Sequence, residues 1–208
     1  LLESATTAST SGNVPATAEN VIPSSDSRVQ QAFEEFHTCQ GFLPCHTQGL
    51  KSDLRPYQET GLKWLWFLYS YGLSGLLCDE MGLGKTLQVI ALLLSERNRG
   101  CTPSLVVAPA TIVENWRREI AQFAPSLSVH VHAGPGRAGI AERLRPFDVV
   151  VTSFDTAIRD EPLLGSVEWN LLVLDEAQAI KNPDAQRTKA VKRLPRRVSL
   201  AVTGTPVE

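Results

Sequence analysis

A glycine-containing turn followed by lysine and threonine occupies residues 79–86, with the sequence DEMGLGKT, and is typical of a phosphate-binding loop. Gly82 and Gly84 would let the backbone approach an anion, and the first amides of a following helix would point at it. Lys85 would then contact the terminal phosphates, and the Thr86 hydroxyl would ligate a phosphate-bound magnesium ion. The strict pattern requires glycine where this chain has Asp79, so a fortuitous turn remains an alternative for this string alone.

Two adjacent carboxylates, Asp175 and Glu176, directly follow the apolar run 171–174. If that run is a strand, both side chains emerge at its carboxyl end, on the side expected for Lys85. Asp175 can hold magnesium directly or through water, and Glu176 can orient and deprotonate an attacking water. Acids that merely cap a helix are the alternative. Their position about 90 residues after the glycine-lysine-threonine turn favours phosphoryl-transfer chemistry.

Short apolar runs alternate with stretches of helical periodicity along the chain, and this alternation must position both motifs. It predicts a three-layer α/β fold with a mainly parallel sheet flanked by helices, whose ligands bind at the carboxyl ends of the strands. The predicted strands are 73–78, 105–108, 129–131, 148–153, 171–174 and 198–202. The predicted helices are 54–71, one starting at Lys85, 112–123, 138–144, 156–164 and 184–194.

Composition indicates a globular chain with a tail. The 208 residues are 43% hydrophobic, enough for one core, and no run approaches the roughly 18 apolar residues of a membrane span. We expect a linker over 1–27, because that segment is rich in Ser, Thr, Ala and Pro. A short helix and loop over 28–50 should dock on the main domain, 51–208.

The start of the sequence has neither a methionine nor a signal peptide, which suggests a piece excised from a longer protein. The four cysteines suggest free thiols in a reducing cytoplasm.

Four potential metal ligands, His37, Cys39, Cys45 and His46, lie close together in the sequence. Their spacing, H-x-C-x5-C-H, lacks the C-x2-C knuckle of ordinary zinc sites. We therefore interpret them as loop residues and expect no structural metal.

Charge is distributed unevenly. Residues 1–50 hold one basic and five acidic residues, which leaves 19 of the 20 basic and 17 of the 22 acidic residues in the body. Seven basic residues between 181 and 197 are opposed by a single acid, Asp184. This basic cluster could attract nucleic-acid phosphates, although a solvated helix face is the commoner explanation. The cluster consists of Lys181, Arg187, Lys189, Lys192, Arg193, Arg196 and Arg197.

From residue 54 to 208 the sequence resembles the Swi/Snf-type ATPases of helicase superfamily 2, which are double-stranded DNA translocases and remodellers of chromatin or other nucleoprotein. The resemblance rests on LRPYQETGLKWL, DEMGLGKTLQ, VVAPATIVENWRREI, DVVVTSF, DEAQAIKNP and TGTPVE, in the family's order and spacing. It implies an N-terminal RecA-like lobe that uses ATP and Mg²⁺. DEAQ in place of DEAH is similar to bacterial and archaeal members, so a prokaryotic, cytoplasmic and nucleoid-associated protein is expected.

The resemblance also implies roles for particular residues. Gln58, whose amide offers both a donor and an acceptor, would recognise adenine. Lys85, Asp175 and Glu176 would be catalytic, and Thr86 and Asp175 would hold magnesium. The nucleotide would also contact Met81, Gly82, Leu83, Gly84, Lys85, Thr86 and Leu87. The DNA backbone would contact Pro109, Ala110, Thr111, Thr152 and Ser153, for which helix capping is the alternative. Nucleotide state would be coupled to DNA through Gln178, Thr203 and Thr205.

The implied partners are double-stranded DNA, a second RecA-like lobe, and a nucleoprotein or polymerase target, with no membrane. The second lobe, with its arginine fingers, is absent from these residues, so hydrolysis by this lobe alone should be very slow.

Two other classes of protein share the phosphate loop and the acids. A small-molecule P-loop kinase would also need a lid and an acceptor pocket, and a nucleotide-binding scaffold would bind without turnover.

Overall fold

Six strands form one sheet in the computed structural model, which describes residues 45–80, 82–101 and 103–204. The strands are β1 Gly75–Cys78, β2 Ser104–Ala108, β3 Val129–His132, β4 Val149–Ser153, β5 Trp169–Asp175 and β6 Arg196–Thr203. Their spatial order is β1-β6-β5-β2-β4-β3, and every pairing is parallel. The predicted α/β architecture, a parallel sheet flanked by helices, is confirmed.

Six α-helices accompany the sheet in the described residues: α1 Pro56–Ser70, α2 Lys85–Asn98, α3 Val113–Phe123, α4 Phe154–Arg159, α5 Glu161–Leu164 and α6 Gln186–Arg193. Helix α1 begins with Pro56, whose missing N–H costs nothing in a first turn. Short 3₁₀ turns at Ala110–Ile112 and Ala177–Ile180 follow β2 and β5. None of these helices is both long enough and apolar enough to cross a bilayer.

The core lies around the central strands. All five residues of β2 and all five of β4 are buried, as expected for strands covered by helices on both faces. Each fully buried Val or Leu contributes about 1.5–3 kcal/mol of transfer free energy, so this apolar centre makes the sheet a rigid support.

The strand register brings three strand ends to one level. Cys78, the last residue of β1, pairs with Thr203 of β6, and Val202 of β6 pairs with Asp175, the last residue of β5. The segments that leave β1 and β5 therefore start two strands apart at the same edge of the sheet. The glycine turn and the carboxylate pair share that edge, as the sequence predicted.

One predicted helix was wrong, and another is interrupted. Residues 138–144 form only a 3₁₀ turn, Ala141–Arg143, because Pro135, Gly136 and Gly139 leave too short a stretch for a helix. Residues 156–164 divide into α4 and α5 at Asp160, since Pro162 has no N–H to donate to the carbonyl four residues earlier. The predicted linker 1–27 and the predicted helix within 28–50 lie outside the described residues.

Candidate functional site

The turn between β1 and α2 has a backbone that glycine is suited to adopt. Gly82 and Gly84 have φ angles of 86° and 71°, in the left-handed region. A Cβ at Gly82 would meet nothing within 4 Å, whereas one at Gly84 would lie 2.4 Å from Gln58 Nε2. The space beside Gly82 is therefore free for a ligand, whereas the Gln58 side chain fills the space beside Gly84. The exposed backbone at the start of α2 is left accessible to an anion.

Lys85 folds back over this turn. Its ammonium donates hydrogen bonds to the carbonyl oxygens of Asp79 and Glu80, at 2.8 Å each. These bonds hold the positive charge beside the first turn of α2, where the helix dipole adds partial positive charge. The arrangement attracts an anion, and a phosphate would compete with the two carbonyls for the ammonium.

Gln58 is buried in α1, and its amide contacts the same turn. Nε2 donates to the Leu83 carbonyl at 3.1 Å, and Oε1 accepts from the Arg55 backbone N–H at 2.9 Å. Both ends of the amide are therefore used within the protein in this conformation. Recognition of adenine by Gln58 stays a prediction, and the base would have to use the second N–H of Nε2 or the second lone pair of Oε1, or replace one of these two bonds.

Asp175 ends β5, and both of its carboxylate oxygens accept hydrogen bonds. Oδ1 accepts from the Glu176 backbone N–H at 2.9 Å, and Oδ2 accepts from Trp116 Nε1 at 2.8 Å. Burial raises the pKa of Asp175, and the two hydrogen bonds oppose that rise, as does the charge of Lys85. The lysine and the acid predicted to share a site therefore line the same cavity, and the charge of Lys85 favours the ionised form of Asp175.

Glu176 has a left-handed backbone, with φ of 50° and ψ of 53°, and is the one non-glycine residue with positive φ among those described. Such a conformation costs about 1–2 kcal/mol for an L-residue. Strain of this kind concentrates at functional positions. Here it turns the chain sharply at the end of β5, so that two adjacent carboxylates both stay near the sheet edge.

A hydrogen-bonded chain of side chains links Glu176 to β6. Gln178 Nε2 donates to Glu176 Oε2 at 2.7 Å, and the buried Thr203 hydroxyl donates to Gln178 Oε1 at 2.8 Å. The structure thereby brings together two of the three residues predicted to couple nucleotide state to DNA. The third, Thr205, lies outside the described residues, as does Met81 of the phosphate loop.

One cavity of about 590 Å³ gathers most of the predicted nucleotide site. Its lining includes Gly82, Gly84, Lys85, Thr86, Leu87, Asp175 and Glu176. Gln58 and Leu83 do not line it; they lie behind the turn and support it.

The opposite wall of the cavity comes from α3, which sequence reasoning treated only as a covering helix. That wall is formed by Asn115, Trp116, Glu119, Gln122 and Phe123. Burial and the neighbouring charge of Asp175 raise the pKa of Glu119. These side chains recur on one face of a helix, but only the packing of α3 beside β5 shows that the face is turned towards the acids.

The residues predicted to contact DNA lie at the ends of β2 and β4. Ala110 and Thr111 are exposed in the 3₁₀ turn after β2. Thr152 and Ser153 are buried: the Thr152 hydroxyl donates to the His132 carbonyl at 2.8 Å, and Ser153 Oγ accepts from the Thr156 N–H as the N-cap of α4. The capping alternative therefore describes Ser153 in this structure, and a DNA role for these residues stays a prediction.

The basic cluster is partly neutralised and partly structural. The Arg196 guanidinium donates to carbonyls at the end of α6, and Arg197 lies over the Tyr69 ring at 4.6 Å and donates to its hydroxyl. Three members form ion pairs, namely Arg187 with Asp155, Lys189 with Asp184, and Arg193 with Glu161. Lys181 and Lys192 are exposed. The solvated-face explanation thus accounts for much of the cluster.

No group of three or more His, Cys, Asp or Glu side chains suited to a metal occurs in the described parts of the chain. His37 and Cys39 lie outside those parts, so the expectation of no zinc stays a prediction.

The chemistry of the cavity suits magnesium and a nucleoside triphosphate. Thr86 and Asp175 supply hydroxyl and carboxylate oxygens, the ligand class that Mg²⁺ prefers. The open backbone at Gly82 and the ammonium of Lys85 suit phosphate oxygens.

Comparison with known proteins gives a consistent result. The family model of the SNF2-related domain matches residues 57–208. The chain is 43% identical over 173 residues to the putative ATP-dependent helicase/translocase YwqA of Bacillus subtilis, which is 80% of this chain and 19% of that protein. It is 41% identical over 174 residues to the TATA-binding protein-associated factor mot1 of Aspergillus fumigatus, or 76% of this chain and 9% of that protein.

A solved structure of similar fold is the Sulfolobus solfataricus SWI2/SNF2 ATPase core in complex with dsDNA. The TM-score is 0.74 at 40% sequence identity, and the match covers 79% of this chain and 35% of that one. This chain thus spans a small part of the curated relatives and about a third of the solved core.

Proposed function

The chain belongs to the SNF2-related family, and from this premise we propose that it is the ATP-binding lobe of an ATP-dependent double-stranded DNA translocase or remodeller. The observation that carries the proposal is the single cavity in which Lys85, Thr86, Asp175 and Glu176 meet. The name of the solved relative, an ATPase core in complex with dsDNA, supports the choice of nucleotide and of nucleic acid.

The proposed mechanism assigns one task to each group. The amides at the start of α2 and the Lys85 ammonium would bind the phosphates, and Thr86 and Asp175 would hold Mg²⁺. When bound, Mg²⁺ neutralises the charge that develops on the transferred phosphoryl group. Glu176 accepts the proton of the attacking water. Its hydrogen bond from Gln178 holds the carboxylate, and Gln178 is in turn held by Thr203 at the end of β6.

Turnover, in this proposal, requires a second RecA-like lobe. The chain matches 35% of the solved SWI2/SNF2 core, and its described residues form one sheet. An arginine finger from another lobe can be worth about a thousandfold or more in rate. This lobe alone should therefore bind Mg-ATP but turn it over very slowly.

Double-stranded DNA is the proposed partner, bound through its backbone along the ends of β2 and β4, with Ala110 and Thr111 accessible for that contact. Such contacts position a duplex without reading its sequence, and the affinity should fall steeply with salt. The same proposal includes a nucleoprotein or polymerase target. It also includes bacterial-type DEAQ-box membership and a cytoplasmic, nucleoid-associated location, which the DEAQ string at 175–178 supports.

The test compares steady-state phosphate release, with and without saturating duplex, for three proteins: this lobe, a longer protein that also carries the second lobe, and the Glu176→Gln variant of the latter. We expect DNA-stimulated hydrolysis in the two-lobe protein alone. The variant should bind ATP but lose turnover, because an amide keeps the shape of Glu176 and cannot accept the proton. Equal rates for the lobe and the two-lobe protein would refute the split site.

Nucleotide binding by the lobe itself is tested with Lys85→Ala. Loss of a charge-assisted contact of roughly 1.5–3 kcal/mol should weaken Mg-ATP binding by about 10- to 100-fold. An unchanged nucleotide titration would contradict the role of Lys85 in phosphate binding.

Two other outcomes would favour the alternative functions. Phosphorylation of a small acceptor molecule without DNA would favour a metabolite kinase, and ATP binding without hydrolysis in the two-lobe protein would favour a scaffold.

A further inference from the structure

The indole of Trp116, a buried core residue, contacts a carboxylate of the candidate site. Trp116 lies in the first turns of α3 and is 2% exposed. Its Nε1–H donates to Asp175 Oδ2 at 2.8 Å, across 59 residues of sequence. The other oxygen, Oδ1, accepts from the Glu176 N–H. Two donors on different elements therefore fix both the position and the plane of this carboxylate.

Another buried indole shows what a purely structural N–H does. Trp169 at the start of β5 is 1% exposed, and its Nε1–H donates to the Leu164 carbonyl at 2.9 Å. That bond satisfies two neutral buried groups. The bond from Trp116 instead goes to a side-chain carboxylate that borders the cavity, and it therefore sets the orientation of a group in the candidate site.

The Trp116 ring also borders the cavity itself, with Glu119 one turn further along the same face of α3. Magnesium ligands are generally held by outer groups that set the orientation of the ligand, and loss of such a group weakens the metal site. For Asp175 this outer group is supplied by α3, a helix to which the sequence analysis assigned no nucleotide contact.

We propose that Trp116 is a positioning residue that holds the carboxylate of Asp175 in the orientation required for magnesium. This inference rests on the proposed function, since it presumes Mg-nucleotide binding at the cavity. It assigns to Trp116 an effect on metal affinity beyond its share in packing the core.

The experiment uses Trp116→Phe, which keeps a buried aromatic ring and removes the N–H donor. Trp169→Phe is the matched control, because it removes an equally buried indole N–H whose acceptor is a backbone carbonyl. For each protein we would titrate Mg²⁺ at a fixed concentration of a fluorescent ATP analogue, measure analogue binding in EDTA, and record thermal unfolding.

We expect both variants to lose stability, but only Trp116→Phe to require about 10- to 100-fold more Mg²⁺ for half-maximal binding. Binding in EDTA should stay unchanged, because the phosphate loop is intact. A midpoint within about twofold of wild type, or an equal shift in both variants, would overturn the proposal.

If Trp116→Phe does not fold, β-(3-benzothienyl)alanine at position 116 provides the same test, since sulfur replaces the N–H within the same bicyclic shape. A wild-type lobe that binds the analogue without any dependence on Mg²⁺ would refute the proposed function, and the role of Trp116 with it. Normal Mg²⁺ dependence in wild type with no effect at position 116 would refute the positioning role alone.

Discussion

Replacement of Gly84 by alanine should reveal how tightly α1 is locked to the phosphate loop. With φ at 71°, Gly84 has a backbone that costs an alanine about 1–2 kcal/mol. The new Cβ would also lie 2.4 Å from Gln58 Nε2. That amide has little freedom to move, because Gln58 is 6% exposed and both ends of its amide are hydrogen-bonded.

The magnitude follows from these contacts. Displacement of the Gln58 amide breaks its bonds to Leu83 and Arg55, each worth about 1 kcal/mol net. Gly84→Ala should therefore lower the free energy of unfolding by about 3–4 kcal/mol, the sum of strain and lost bonds. Gly82→Ala is the matched control: it has a similar φ of 86° but open space at the Cβ, so only the strain of about 1–2 kcal/mol applies.

A double-mutant cycle in urea separates the two contributions. In a Gln58→Ala background the obstructing amide is gone, so Gly84→Ala should cost only the backbone strain, and the coupling between the two sites should be about 2 kcal/mol, the worth of the two lost bonds. Independent sites add to within about 0.5 kcal/mol. Additive costs, or equal costs for the two glycine substitutions, would show that Gln58 does not lock the loop.

Three further predictions concern other parts of the fold. Burial raises the pKa of Glu96, so its contribution to stability is fully present below its usual pKa of about 4.3 and is lost as pH rises through the folded value. Glu96→Gln should therefore gain stability relative to wild type from pH 5 to pH 8, measured by urea midpoints, and a constant difference would contradict this. Burial, with the nearby charge of Glu96, raises the pKa of Cys45 to about 11. Iodoacetamide at pH 8 should therefore alkylate Cys45 more slowly than the exposed Cys78, because the thiolate is the reactive form. Peptide mass spectrometry would follow both rates. Arg196→Ala should lower the free energy of unfolding by about 1–3 kcal/mol, because the Arg196 guanidinium caps the end of α6. Arg196→Lys should restore little of this loss, since an ammonium lacks the planar fork of a guanidinium. Full rescue by lysine would mean that charge alone matters.

Local sequence was sufficient for the sheet and for the main features of the site. Apolar runs and helical periodicity predicted all six strands, and the signal is clearest for β2 and β4, whose burial on both faces requires continuous apolar sequence. The glycine turn and the acid pair were predicted at one sheet edge, because parallel strands present their carboxyl ends together. These features depend on residues that are neighbours in the chain.

Only the tertiary structure decided which side chains meet across the sheet. Trp116 reaches Asp175 because β2, which leads into α3, pairs directly with β5, and no local pattern encodes that strand order. For the same reason the sequence could not show that the Gln58 amide braces the loop at Leu83. Periodicity reports which face of an element is apolar. Strand order and helix packing determine what each polar group on that face will touch.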